Sequence, residues 1–153
     1  MGQQQLLLLV LSIIIVGLAV VYGISLFDNN NVKSNADALV SEALRMASDV
    51  QAWAVKPAMV GGKQDSQTIA DVTFTAIGYP NSGGTYHSPN GEFVLSASLG
   101  SACDTPIIPS GKAALIYINA TNDDIGNSIC VAIAGPDAAD IGTDAKYGSG
   151  ISP

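Results

Sequence analysis

The sequence predicts an α+β chain: one long N-terminal helix, apolar in its first half and amphipathic in its second, packed on a small antiparallel sheet of three to four strands. Three observations predict it. Residues 6–27 (LLLLVLSIIIVGLAVVYGISLF) run for 22 residues without a charge. Residues 35–55 then repeat apolar positions at three and four. After Gly61-Gly62 the period changes to two, in short runs bounded by turn residues. The chain divides accordingly into an apolar helix (1–27), a break plus amphipathic helix (28–57) and an antiparallel β domain with a surface tail (58–153).

The first element decides where the molecule lives. A helix over residues 6–27 reaches roughly 33 Å, enough to cross a hydrocarbon core of about 30 Å. Sixteen of its residues are Leu, Ile, Val or Phe, and on an insertion scale they favour lipid by roughly 5–10 kcal/mol. Its bulk is Leu6, Leu7, Leu8, Leu9, Val10, Leu11, Ile13, Ile14, Ile15, Val16, Leu18, Val20 and Val21. These residues surround the axis and leave no polar stripe, so the helix needs lipid or a bundle of similar helices. It is a membrane anchor or a filament core. Gly17 and Gly23 lie inside it. They have two readings: points where the helix is weakened, or flat surfaces for close helix packing. A secretory signal peptide is rejected, because no Lys or Arg precedes the apolar core, the core is too long and no A-x-A site follows.

Asp28-Asn29-Asn30-Asn31 carries the first acidic residue, and its asparagines compete with helical backbone bonds. A kink or frayed turn is expected there, with Ser34 or Asn35 capping a second helix. That helix places Leu39, Val40, Ala43, Met46, Ala47, Val50 and Ala54 on one face and Asp37, Glu42, Arg45, Asp49 and Gln51 on the other. Met46 and Trp53 are expected in the core. Pro57 and Gly61-Gly62 end it. Strands are expected at 69–79, 92–99, 112–119 and 128–134, with turns at Asn81-Ser82-Gly83-Gly84, Ser88-Pro89-Asn90-Gly91 and 106–111. The tail 135–153, rich in Gly, Asp, Ala and Pro, reads as an irregular surface loop.

The chain carries a net charge of −7, and all thirteen of its carboxylates lie at or after Asp28. Six scattered Lys and Arg residues on an acidic domain speak against a nucleic-acid partner. The two cysteines, Cys103 and Cys130, read as a disulfide in a domain carried outside the membrane, with two buried thiols as the alternative. Closing that 28-residue loop contributes roughly 3–4 kcal/mol in the chain-entropy picture.

Catalytic and cofactor patterns are not found. His87 is the only histidine, has no G-x-S-x-G partner motif, and reads as a lone surface residue. H-E-x-x-H, C-x-x-C and C-x-x-C-H are absent, and Gly61-Gly62-Lys63 lacks the rest of a phosphate loop. Asn122-Asp123-Asp124 and Asp137, Asp140 and Asp144 do not have calcium-loop spacing and read as solvated turn carboxylates. Asn119-Ala120-Thr121 matches the N-glycosylation pattern, a match common by chance, and keeps Asn119 as a candidate. No cofactor, metal or enzymatic activity is expected.

In layout the chain resembles a type IV pilin, whose mature form starts with an apolar helical half, continues into an amphipathic half and ends in a four-stranded sheet. In sequence detail the resemblance is confined to the N-terminal third. It departs from the family at two positions: Gln5 stands where a glutamate is usual, and Tyr22-Gly23 where a proline is usual. The resemblance implies that Met1 and Gln5 set the register between subunits and that Gly17 and Gly23 do the helix loosening. It also implies a short leader, expected to be removed before Met1, the alternative being a cut after Gly2. The implied function is a structural subunit of an extracellular filament, held in the cytoplasmic membrane before assembly. Its partners would be copies of itself, membrane lipid and an assembly machinery. The alternative is an anchored minor subunit of a secretion system, or an anchored surface binding domain.

Overall fold

The computed structural model describes residues 2–100, 108 and 111–148. Helix α1 spans Gly2–Val55, 54 residues. Five strands follow: β1 (Thr85–Ser88), β2 (Gly91–Ser96), β3 (Ile116–Asn122), β4 (Asn127–Ile133) and β5 (Ile141–Lys146). They form one sheet in the order β1-β2-β3-β4-β5, every neighbour antiparallel. The class is α+β, with one strand more than the upper expectation.

The expected break at residues 28–31 does not occur. The backbone stays helical through all four, and neither Ser34 nor Asn35 caps a new helix. An asparagine falls only a few tenths of a kcal/mol below the good helix formers, whereas nucleating a second helix carries the larger unfavourable step. The C-terminus falls where expected. Pro57 disfavours helical backbone at Lys56, and α1 ends at Val55.

The second half of α1 lies on the sheet. Leu39, Ala43, Met46, Ala47, Val50 and Trp53 are buried against Ile118 of β3 and Ile129, Val131 and Ile133 of β4. Phe93 on β2 completes this core, with Tyr86 tilted over its ring at 5.9 Å between centroids. All seven residues of β4 are buried, so this strand is covered on both faces.

Residues 69–79 are a correction. The alternation there is genuine, since Val72 and Phe74 are buried, but no strand forms and Ala76 is exposed. Thr68 and Asp71 cap each other in a short 3₁₀ turn. Thr73 then accepts the N–H of Ala76 on both its carbonyl and its hydroxyl oxygen, and Gly78 takes a left-handed φ of 83°. Local turn bonds take the backbone groups that a ladder would need. The same two inward residues still roof the β1–β2 end of the sheet.

Two strands were not anticipated. β1 pairs with β2 through the Ser88-Pro89-Asn90-Gly91 turn, read correctly as a turn although the strand before it was not. β5 arises from the tail expected to be irregular: Ile141 pairs with Ile133, and Lys146 with Ser128. Its sequence is poor in β-formers, but β4 offers an open row of backbone donors and acceptors, and that row decides the pairing.

Polar side chains fasten α1 to the domain along the contact. Glu42 accepts from Ser88 Oγ and Asn90 Nδ2, each at 2.8 Å. Gln51 Nε2, itself buried, donates to the carbonyls of Gly135 and Asp137 at 3.0 and 2.6 Å. Tyr79 Oη donates to Asp49 Oδ2 at 2.7 Å. Burial first, and then this bond to Asp49, push the Tyr79 hydroxyl up to about 12.

Two outcomes check this packing. Phe93→Ala should destabilise the fold by about 3–5 kcal/mol, read from urea unfolding through Trp53 fluorescence. Tyr79 keeps its proton in the folded chain to higher pH than in the unfolded chain, so its contribution is complete below pH about 10 and disappears as pH climbs toward 12. Ultraviolet titration should show one tyrosine ionising late, and Tyr79→Phe should remove that step.

Candidate membrane and assembly surface

Among the described residues nothing covers the first half of α1. From Leu6 to Phe27 its large apolar side chains remain 49 to 73 % exposed, and none of its most apolar stretch is buried. By length and composition it is the one helix among the described residues able to cross a membrane. Both of its serine hydroxyls are met from within. Ser12 Oγ donates to the Leu9 carbonyl at 2.8 Å and Ser25 Oγ to the Val21 carbonyl at 3.2 Å, so neither hydroxyl needs water.

Polar collars bound this belt. Gln3, Gln4 and Gln5 precede it, and Asp28, Asn29, Asn30 and Asn31 follow, all exposed. At about 100° per residue, four consecutive positions ring the helix completely. The four-residue upper collar therefore closes the apolar belt on every face.

Above the upper collar α1 meets the sheet. Asn127, the first residue of β4 and 1 % exposed, donates through Nδ2 to the Val32 carbonyl at 2.8 Å and to Asn35 Oδ1 at 3.0 Å. Its own Oδ1 accepts the N–H of Gly148 at 3.0 Å. Asn35 Nδ2 in turn donates to the Asn90 carbonyl, which also accepts from Asn122 Nδ2. Gly91 follows Asn90 because a Cβ there would run into the Thr121 carbonyl oxygen. This asparagine cluster fixes where the domain ends and the bare helix begins. Periodicity could not find it, since asparagine reads equally as turn, cap or surface; only the Asn90-Gly91 turn left a signal.

Gly17 and Gly23 both have open space around them, with nothing within 4 Å of an added Cβ. Neither interrupts the helix. Among the described residues no contact requires a glycine at either place. Gln5 is exposed on the first turns of α1, while Met1 lies outside the described residues.

The remaining sequence candidates sit apart from this surface. Cys130 is fully buried on β4, its Sγ 3.2 Å from Asn119 Oδ1; Cys103 lies outside the described residues. Asn119 is half-buried in β3 between β2 and β4, and its Oδ1 accepts the N–H of Gly100 at 3.2 Å. A glycosylation acceptor is expected on a surface loop, and this asparagine is built into the sheet. His87 Nδ1 lies 3.1 Å from Glu92 Oε1, both side chains more than half exposed. The neighbouring Ser88 hydroxyl is committed to Glu42, which leaves no Ser–His pair there. Asp123 and Asp124 are exposed in the β3–β4 turn. Asp140 is a correction: it is buried, not solvated, and meets Lys112 Nζ at 2.9 Å. The carboxylate raises the Lys112 pKa chiefly by accepting that hydrogen bond. Among the described residues no group of three or more His, Cys, Asp or Glu is placed to hold a metal.

No protein-family model, curated protein or solved structure matches this chain.

Replacing Gly17 or Gly23 by Ala should leave the single detergent-solubilised chain intact and raise its helix stability by up to about 1 kcal/mol per site. Thermal melting followed by circular dichroism reads this directly.

Proposed function

We propose that this chain is a structural subunit of an extracellular type IV pilus-like filament, polymerising through the apolar half of α1. The observation that carries the reading is an all-round apolar belt, 22 residues long, that its own domain leaves uncovered. Such a surface is stable in lipid or against other apolar helices. The two environments are interchangeable for it, so a subunit can pass from membrane to helical bundle without meeting water. The acidic domain rides outside and gives the polymer its exterior. The pilin-like layout supports the same reading: long helix first, apolar then amphipathic, with an antiparallel sheet behind it. Partners on this reading are copies of the chain, membrane lipid before assembly and an assembly machinery; the chain itself carries no catalytic task and binds no nucleic acid directly. The proposed cystine between Cys103 and Cys130 would tie β4 to the segment before β3.

Electron microscopy of material sheared from producing cells tests this. Filaments built from this chain are expected, and a chain lacking residues 6–27 should form none. An anchored domain that stays monomeric in the membrane, or fibres from the truncated chain, would overturn the filament reading.

A further inference from the structure

Two opposite charges stand at the rim of the apolar belt without an ion-pair partner among the described residues. Asp28 and Lys33 are both exposed on α1, and among the described residues neither takes part in an ion pair. They cannot reach each other, because helical neighbours lie three or four residues apart and these two are five apart. Five residues place them about 140° apart around the axis and about 7.5 Å apart along it. Each helix thus shows an acid on one flank and a base on the other, at different heights.

Resting on the filament reading, we propose that this pair sets the register between adjacent copies: Asp28 of one subunit faces Lys33 of the next. The occupant of the belt's flank is a second copy of this chain, and charge complementarity selects it. An axial offset of about 7.5 Å leaves roughly three-quarters of each belt against its neighbour's belt. Arg45, the other cation on α1, and Lys56, just past its end, fit worse. Pairing Asp28 with Arg45 or Lys56 would slide the belt along the half that carries Asp37, Glu42 and Asp49, setting hydrocarbon against charges. Gln5 is uncharged, so among the described residues the collar above the belt is where a charge can specify register. The contact is head-to-tail, and the difference in height prevents closure into a ring; repeated, it climbs as a helix. Beside an apolar belt such a pair adds little net attraction but strongly penalises a wrong alignment.

Charge exchange tests the register. Filament yield in sheared material is compared for the wild-type chain, Asp28→Lys, Lys33→Asp and the double exchange, with Trp53 fluorescence of each detergent-solubilised chain confirming the domain fold. Each single exchange should lower filament yield by about tenfold or more, since it sets like charges together, and the double exchange should restore it. Single variants that fold and assemble like wild type overturn the inference and leave the filament reading standing. So does a double exchange that folds but assembles no better than the single variants. A wild-type chain that forms no filaments overturns the filament reading, and this register falls with it.

Discussion

The whole molecule is arranged around a surface its own domain cannot cover. One continuous helix carries two kinds of surface, and the change between them falls within a single turn at Asp28-Asn29-Asn30-Asn31. Below that turn the side chains are apolar in every direction, and the backbone and both serine hydroxyls are satisfied within the helix. Above it, one face alone is apolar, and the sheet takes that face. The free energy of burying residues 6–27 cannot be gained inside the chain, which makes the surroundings part of the folding problem.

The domain divides its tasks between two kinds of contact. Leu39, Met46, Val50 and Trp53 on the helix, with Phe93, Ile118, Ile129 and Val131 on the sheet, supply the apolar burial. Apolar packing alone tolerates sliding. Asn127 and Asn35 at the lower end, Glu42 in the middle and Gln51 at the upper end hold helix and sheet in one alignment, because each meets a specific backbone or side-chain group. A slip of one residue would strand several buried polar atoms, and each would then carry its full desolvation penalty.

The apolar belt and the amphipathic stripe were legible because composition and the 3.6-residue period are strong, local signals. Met46 and Trp53 fell in the core for that reason. β3 and β4 were legible in existence and shifted at their ends, since apolar runs mark a strand's centre better than its limits. β5 was not legible: Gly142, Asp144 and Lys146 carry no strand signal, and pairing there is dictated by the neighbour's backbone. Residues 69–79 misled in the opposite sense, because an inward–outward alternation describes burial and not pairing. The asparagine cluster at the belt's upper rim left only the Asn90-Gly91 turn as a signal, as its partners are 21 to 95 residues apart in sequence. Even so, the residues that form the candidate surface were legible, since the apolar run 6–27 is written in composition alone and its large side chains are exposed.

That α1 passes unbroken through three consecutive asparagines has a mechanical consequence. With no pivot between anchor and domain, and with Asn127 gripping the first turn above the belt, the two move as one lever. On the proposed reading, sideways drag on the domain would reach the apolar half as torque, felt as tilt against neighbouring helices or lipid, and would not be absorbed by a flexible neck.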